Sequence, residues 1–442
     1  MRAGAGFFAT VTHGMTDDRQ PRGIRISGER RLRGYLIAAL ALALVCACVP
    51  LASAASGGAG AGPGASKRSS AHRTVHHAAR KASPFAGRGM WIWYVSQSSG
   101  GSVASIIANA KRYGISTLMI KSGDGSGTWS QFTPQLISTL HANGLRVCGW
   151  QYVYGNNPVT EAHVGAAAAQ AGADCLVIDA EGEYEGKYVQ AQSYVTALRQ
   201  LVGASFPVAL AGFPYVDYHP GFPYSVFLGP GGAQYNAPQM YWADIGVTVD
   251  DVFAHTYMFN RIYQRTIAPL GQVSGSPRPG QIRRFRQLSR AYGARGLSWW
   301  DWQEASPGEW RALSQPVGTL PGFSPDASVA SLGKGAKGDV VVWAQEHLVK
   351  AGFPVTIDGS FGAGMRSAVM QFQQAHSLPA IGLIGPATWQ ALLRYAPITV
   401  HWTKTGAHTA TVSRAGAAVA VPKSASLPAR GYEIGRSHGR GR

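Results

Sequence analysis

Cysteine is scarce in this chain of 442 residues, and its four copies show no zinc-type spacing with histidine. That absence excludes the small zinc-stabilised modules. Two of the cysteines lie in an apolar amino-terminal segment, which leaves Cys148 and Cys175 for the folded body. Both fall in predicted strands among apolar neighbours. They are either buried thiols or a disulfide formed outside the cytoplasm.

Several catalytic and nucleotide-binding signatures are also missing. The chain contains no Gly-x-Ser-x-Gly and no His-Glu-x-x-His, and no glycine-rich loop follows the first predicted strand. The first two absences argue against a peptidase role, and the third disfavours a doubly wound open sheet. The sequence therefore predicts neither a metal nor a cofactor.

Acidic residues are few, and the formal net charge is +18. The excess is concentrated at the two ends. Residues 1–85 carry 12 basic and 3 acidic residues, residues 397–442 carry 7 and 1, and the middle of the chain is close to neutral. A nucleic-acid partner is one hypothesis for such a charge, but the distribution favours a general attraction to anionic polymers over a shaped groove. No specific nucleic-acid partner is predicted.

The chain also lacks an apolar run long enough to cross a membrane comfortably. The run Tyr35–Val49 follows Arg30, Arg31 and Arg33 and precedes Ala52-Ser53-Ala54, a small-x-small cleavage pattern. This arrangement predicts a secretory signal peptide over 1–54, with no stable membrane span after cleavage. The alternatives are an amino-terminal anchor, a twin-arginine signal or lipidation in this segment. The protein is expected to be secreted to the cell wall or beyond.

Composition divides the remaining chain into segments. Glycine, alanine and serine over 55–86 indicate a flexible linker, 312–331 indicates a second linker, and 397–442 is predicted to be a disordered basic tail. Between the linkers, 87–311 alternates strand-like and helix-like runs and predicts a (β/α)8 TIM barrel, with an open doubly wound sheet as the alternative. The chain is expected to be monomeric. The eight predicted strands are Gly89–Val95, Thr117–Lys121, Arg146–Val153, Cys175–Asp179, Val208–Phe213, Ala237–Trp242, Arg265–Leu270 and Gly296–Trp302.

The carboxyl ends of these strands carry the candidate chemistry, since such barrels act at that face. Asp179 and Glu181 end the fourth predicted strand, and residues two apart on a strand point to the same side. Two close carboxylates cannot both ionise freely, so one of them is suited to act as a general acid. Glu181 is the candidate acid, and Asp179 would orient it or stabilise charge. Candidate substrate contacts are Trp91, Trp93, Lys121, Gln151, Tyr152, Gln239, Tyr241, Asp244, Trp300 and Asp301.

Two of these residues have other interpretations. Lys121 is either a substrate contact or an ion-pair partner of Asp179. Trp91 is either a sugar platform or part of the packed barrel interior. A second catalytic carboxylate, if the reaction needs one, would have to come from Asp244, Asp301 or Asp124.

The Asp-x-Glu of the fourth strand, Gln239-Met240-Tyr241-Trp242 and the Gly296…Trp300 spacing resemble glycoside hydrolase barrels. The nearest are the family 25 lysozymes and, more distantly, the family 18 chitinases. The resemblance implies acid/base hydrolysis of a glycan by Asp179 and Glu181. The chain departs from family 25 on the first strand, where Trp91-Ile92-Trp93 stands in place of an aspartate.

Residues 332–396 carry a second pattern, with Gln345 and Gln373 on two helices and Asp358-Gly359 in a turn. The loop 381–385 echoes 358–362, so the segment is predicted to be an internal pseudo-repeat in which Ile381 replaces the second aspartate. The segment resembles the peptidoglycan-binding family 1 module, which implies a small helical domain and a peptidoglycan partner. The residues that carry the pattern include Asp358, Phe361, Phe372 and Trp389.

These patterns together predict a secreted protein that binds peptidoglycan and hydrolyses glycosidic bonds of the cell wall. The alternative is a catalytically silent barrel that binds carbohydrate or acts as a wall scaffold, which the missing first-strand aspartate would allow.

Overall fold

The computed structural model describes residues 83–403, 406–409 and 431–433. The predicted signal peptide and most of the first linker lie outside these ranges. Within them, no helix is both long enough and apolar enough to span a lipid bilayer.

The predicted TIM barrel is confirmed. Parallel strands neighbour one another in the order β8-β7-β6-β5-β4-β2-β1-β10-β9, and β3 pairs with the end of β2 as a short hairpin. A bridge between Gln239 and Leu270 links β9 to the segment that follows β7, so the ring closes. The strands are β1 Gly87–Ile92, β2 Thr117–Asp124, β3 Gly127–Thr128, β4 Arg146–Val153, β5 Cys175–Ala180, β6 Val208–Ala211, β7 Tyr235–Asn236, β8 Thr266–Ile267, β9 Leu270–Gln272 and β10 Gly296–Trp300.

Helices cover the outside of the barrel, and their ends follow from local sequence. Ser306 and Glu309 form a capping box at the last of them, and Gly114 ends the first in the left-handed conformation. The helices are α1 Val103–Tyr113, α2 Pro134–Ala142, α3 Pro158–Gln170, α4 Tyr188–Val202, α5 Tyr224–Phe227, α6 Trp242–Ile245, α7 Val249–Asn260, α8 Pro279–Ala291 and α9 Pro307–Ser314.

Two of the predicted strands differ from the observed ones. The strand β7 ends at Asn236, before the segment predicted as Ala237–Trp242. That segment instead holds the single bridge at Gln239 and the start of helix α6 at Trp242. The segment predicted as Arg265–Leu270 is split into β8 and β9. Pro238 and Pro269 explain both differences, because a proline lacks the N–H that a continuous strand must donate.

The barrel interior is aromatic and contains a disulfide between Cys148 and Cys175. These two residues are register partners on the neighbouring strands β4 and β5, and both are fully buried. The structure therefore selects the disulfide from the two alternatives that the sequence left open.

The carboxyl-terminal module is helical, as the sequence predicts, with β11 Val329–Ser331, α10 Asp339–Lys350, α11 Ala363–Ala375 and α12 Pro386–Leu392. The predicted linker 312–331 begins inside α9 and ends with β11, and its middle has no regular structure. After the module, β12 Val400–Thr403 and β13 Gly406–Thr409 form a hairpin, and β14 Gly431–Glu433 pairs with β11. The sequence placed 397–403 in a disordered tail, but Ile398 and Val400 are buried there.

The module packs directly on the barrel through a buried carboxylate at the start of α10. Asp339 is fully buried and accepts hydrogen bonds from Tyr188 Oη (3.0 Å), Ser225 N (2.8 Å), Ser225 Oγ (2.7 Å) and Tyr263 Oη (2.8 Å), all on the barrel. One turn further on, Trp343 Nε1 donates to the carbonyl of Ile262 at 2.8 Å. Apolar residues of both parts form one continuous core. The module is therefore packed against the barrel and is not connected to it by the linker alone.

Candidate functional site

A pair of carboxylates lies at the carboxyl end of β5. Asp179 is in the strand, and Glu181 is the first residue after the strand ends at Ala180. The amide nitrogen of Gln239 lies 3.0 Å from Asp179 Oδ1 and 2.9 Å from Glu181 Oε1. The two carboxylate oxygens are consequently at most 5.9 Å apart, the sum of those lengths. The structure thus brings together the two residues that the sequence singled out and adds the amide that joins them.

The two acids differ in their surroundings. Asp179 is 6% exposed, whereas Glu181 is partly exposed at the barrel mouth. Burial raises the pKa of Asp179 well above its ordinary value, and the nearby charge of Glu181 raises it further, while Lys121 acts in the opposite direction. The pair therefore retains a proton at a pH at which an isolated aspartate would have lost its own.

Lys121 lies beneath the mouth in a cage of tryptophans. Its ammonium group is 2.6 Å from Asp124 Oδ2, and its side chain is 2% exposed. The same nitrogen lies over three indole rings at distances of 4.2–4.9 Å, which is favourable cation–π geometry. The ion-pair partner of Lys121 is therefore Asp124, where the sequence had suggested Asp179. The three rings belong to Trp93, Trp129 and Trp150.

Tryptophans from β1, β4 and β10 line the interior and the mouth. Trp91 is 1% exposed, and its indole donates to Ser298 Oγ at 3.1 Å, so it belongs to the packed interior. Trp93 and Trp300 are partly exposed, with ring centroids 5.8 Å apart. Of the three tryptophans predicted as substrate contacts, the structure leaves Trp93 and Trp300 accessible. Aromatic faces of this kind can stack on the apolar face of a sugar ring.

Further polar residues surround the acid pair. The pKa of Tyr241 is raised well above its usual range by burial, and further by the charges of Asp179, Glu181 and Asp301, so its hydroxyl stays protonated. Asp301 is 2% exposed, accepts a hydrogen bond from Glu304 N at 3.2 Å, and has its pKa raised to about 7, mainly by burial. Asp244 is exposed on the short helix α6.

Two adjacent residues on β4 face opposite ways. Tyr152 points into the barrel, and its hydroxyl donates to Glu183 Oε2 at 2.7 Å. Gln151 points outward, where its amide is bonded to the carbonyls of Gly125 and Glu161 and to Tyr194 Oη. Gln151 therefore lies away from the mouth. The outward direction of Gln151 follows from strand alternation, because adjacent residues on a strand point to opposite faces. The same rule places Trp150 on the inner face with Tyr152, although Trp150 is absent from the substrate contacts that the sequence predicts.

The module residues that carry the sequence pattern build its fold. Phe361, Phe372 and Trp389 are buried, and Trp389 Nε1 donates to the carbonyl of Ala330 at 2.7 Å. Asp358 Oδ1 accepts from Ser360 N at 2.8 Å, which closes its own turn. All four residues stabilise the fold of the module. Three of them do so in its core, and Asp358 does so in a loop.

The predicted pseudo-repeat is visible as two glutamine clamps. Gln345 accepts from the backbone N–H groups of Asp358 and Gly359, and Gln373 accepts from the N–H of Gly382. In the second clamp the amide of Gln373 donates to the carbonyl of Leu383, at 2.8 Å, and to Thr388. The bond to Leu383 corresponds to the one that Gln345 donates to the carbonyl of Ser360. Thr388 Oγ1 takes the place of the carboxylate that Asp358 offers to Gln345. Thr388 thus supplies the acceptor that Ile381 lacks.

No group of histidine, cysteine or acidic side chains suited to a metal ion occurs among the described residues. A small cavity lies at the opposite, amino-terminal end of the barrel. Its lining is uncharged and includes Phe85, Met119 and Val177. That cavity has no acid or base in its lining.

Residues 337–392 match the family described as a putative peptidoglycan binding domain, which confirms the resemblance predicted for 332–396. The zinc D-Ala-D-Ala carboxypeptidase of Streptomyces albus G is 36% identical over 93 residues, which make up 20% of this chain and 35% of that protein. The chain thus spans about a third of the length of this curated relative.

Solved structures similar to the barrel include a chitinase from Chromobacterium violaceum ATCC 12472, at 11% identity over 52% of this chain and 98% of that chain, with a TM-score of 0.35. The spore cortex-lytic enzyme SleL from Bacillus megaterium QM B1551 is 9% identical over 53% of this chain and 75% of that chain, with a TM-score of 0.37.

Proposed function

We propose that this protein is an exported, cell-wall-associated hydrolase that binds peptidoglycan through 332–396 and cuts glycosidic bonds of the wall glycan at the barrel mouth. The observation that carries the proposal is the pair Asp179 and Glu181, joined by the amide of Gln239 and bordered by accessible tryptophans. A proton-bearing carboxyl can act as the general acid in glycosidic cleavage, and the aromatic faces beside it can hold a sugar ring.

Glu181 is the proton donor in this proposal because it is the more exposed of the two acids. It protonates the glycosidic oxygen as the bond to the anomeric carbon breaks. The negative charge left behind is shared within the pair, where the Gln239 amide donates to both carboxylates. Buried Lys121 stabilises that charge from below, as its effect on the pKa of Asp179 indicates.

Two observations support a location at the wall. Residues 337–392 match a peptidoglycan-binding family, and such a domain would raise the local concentration of the barrel on its substrate. The disulfide between Cys148 and Cys175 suits an oxidising compartment outside the cytoplasm. Together with the predicted signal peptide, these features favour export.

Digestion of purified peptidoglycan separates this proposal from the silent-scaffold alternative. We expect the full-length protein to sediment with insoluble peptidoglycan and to release soluble glycan fragments over time. The scaffold alternative, which the Trp91-Ile92-Trp93 sequence of β1 motivates, predicts the same sedimentation with no release. Sedimentation without release, by folded protein at several pH values, would reject the hydrolase.

Gln239→Leu is expected to move the alkaline limb of the pH–activity profile to higher pH by about one to two units. The amide donates to two carboxylates, and hydrogen bonds to charged groups contribute about 1.5–3 kcal/mol, while one pKa unit corresponds to about 1.4 kcal/mol. Without that donor the ionised form is less stable, so the pair keeps its proton to a higher pH.

The measurement is the initial rate of fragment release between pH 4 and pH 9, on the order of one point per half unit. Gln192→Leu, on the outer helix α4, is the matched control and should leave the profile in place. An unchanged alkaline limb in Gln239→Leu would show that the amide does not govern the ionisation of the pair.

A further inference from the structure

The proposed reaction uses a proton donor and also needs an anionic group that assists the attacking water. Three aspartates near the mouth are candidates, and their environments differ. Asp301 is almost fully buried, and its pKa of about 7 leaves it partly protonated at neutral pH. Asp244 is exposed on α6, where water screens it. Asp124 differs from both, because it is partly exposed and held in place by named partners.

Asp124 is fixed by contacts on both carboxylate oxygens. Lys121 Nζ lies 2.6 Å from Oδ2, and Tyr154 Oη donates to Oδ1 at 2.9 Å. The β2–β3 hairpin restrains the backbone, with Asp124 paired to Gly127. The side chain is 32% exposed, so water can reach it, whereas its cationic partner is sealed beneath the tryptophans. A carboxylate held this way has a fixed orientation toward the solvent at the mouth.

A β-bulge turns Asp124 into the mouth. On β2 the register with β4 passes from Lys121 to Gly123 with a shift, so that Ser122 is the extra residue. Lys121 and Asp124 are three positions apart and would face opposite sides of a regular strand, yet the bulge brings them together as an ion pair. Bulges of this kind commonly redirect a side chain beside an active site.

The register places Asp124 across from the acid pair. Asp124 is the register partner of Tyr152, and Tyr152 is the register partner of Asp179. The three residues thus form one row across β2, β4 and β5, with about 10 Å between the outer Cα atoms at the usual strand spacing. The charge of Asp124 acts on Asp179 across that row. One lysine-paired carboxylate therefore faces the buried acid pair, and such a contrast in environment marks acid and base roles.

We propose that Asp124 is the second catalytic carboxylate, a deepening that rests on the proposed glycan hydrolysis. It takes a proton from a water molecule while the water oxygen bonds to the anomeric carbon. The glycosidic bond breaks, its electron pair passes to the leaving oxygen, and that oxygen takes the proton of Glu181. Lys121 and Tyr154 act as positioning residues for Asp124 and do not contact the substrate.

Asp124→Asn is expected to lower the rate of reducing-end release by about 10²–10⁴-fold, the range typical of a lost general base. Asp250→Asn is the matched control, since Asp250 is also an ion-paired carboxylate but lies on outer helix α7 against Arg284. Asp124→Ala with added sodium azide is the second variant. Azide needs no base, so we expect turnover to recover by about tenfold or more with a glycosyl azide as product.

The outcomes separate the inference from the proposed function. If wild type releases no reducing ends, the hydrolase itself is rejected. If wild type is active, Glu181→Gln is inactive and Asp124→Asn keeps its rate within about threefold of wild type, Asp124 is not the base and the hydrolase stands. Near-ultraviolet circular dichroism of the tryptophan cage checks folding. Recovery with azide would exclude loss through misfolding, and a folded, inactive Asp124→Ala that azide does not restore would also overturn the inference.

Discussion

Glu181→Gln is expected to lower the rate of wall-glycan cleavage by about 10²–10⁴-fold while leaving the protein folded and bound to peptidoglycan. Glutamine keeps the size of glutamate, but its amide is not acidic enough to protonate a leaving oxygen. Glu181 also lies where solvent reaches it, and its contact with Gln239 can be kept by a side-chain amide oxygen. The loss should therefore fall on the chemical step, lowering kcat more than it changes KM.

Glu185→Gln is the matched control for this experiment. Glu185 belongs to the same acidic segment, but it pairs with His219 at 3.1 Å, away from the Gln239 bridge. We expect its initial rate to stay close to that of wild type in the same peptidoglycan assay. Equal activity of wild type and Glu181→Gln would remove Glu181 from the mechanism.

Asp339→Ala is expected to lower the free energy of unfolding by about 3–5 kcal/mol, because it breaks a buried network between the barrel and the module. Two tyrosine hydroxyls, one serine hydroxyl and one backbone N–H donate to this carboxylate. The substitution leaves all four donors buried without their acceptor. Urea unfolding followed by tryptophan fluorescence measures the change. Asp250→Ala, which removes a surface ion pair, should cost less than about 1 kcal/mol.

The same residue makes stability depend on pH. Burial raises the pKa of Asp339 from 3.8 to about 6, so the folded chain holds this proton more tightly than the unfolded chain does. The stabilisation from this proton is complete below pH 3.8 and is lost as the pH rises through 6. At about 1.4 kcal/mol per pKa unit, the loss in the free energy of unfolding is about 3 kcal/mol. Wild type should therefore lose about that much stability relative to Asp339→Asn between pH 4 and pH 7. A constant difference between the two proteins over this range would contradict the assignment.

Docking of the module also affects how wall binding can be studied. Because barrel and module share one apolar core, deletion of 332–396 exposes part of that core to water. A truncated barrel that fails to bind peptidoglycan could owe that failure to misfolding. Substitutions that leave Asp339 and Trp343 in place are the better means of separating binding from cleavage.

The sequence predicted the barrel well because its signals are local. Alternation of apolar runs and helix caps such as Ser306 and Glu309 depend on neighbours in the chain. The errors in the strands around Pro238 and Pro269 arose where apolar periodicity was followed past a residue that cannot complete a hydrogen-bonded ladder. The docking of Asp339 against Tyr188 and Tyr263 lay beyond local signals, since those partners are 76 and more positions away.

The site was predictable in part. Asp179 and Glu181 followed from strand alternation, and the same rule applied to β4 separates Tyr152 from Gln151. The role of Asp124 could not be derived that way, because the bulge at Ser122 reverses the alternation of β2. The bridge made by Gln239 joins the ends of two strands 58 residues apart. That contact depends on closure of the ring of strands, which local sequence patterns do not reveal.

The nature of the new chain ends in digested peptidoglycan tests the central claim most directly. Purified sacculi are incubated with the full-length protein, and reducing ends and free amino groups are counted in the same samples. Cleavage by Asp179 and Glu181 predicts one new reducing end for every break and no increase in amino groups. New amino groups without reducing ends would contradict glycosidic cleavage, and so would the absence of both when the protein is folded and wall-bound.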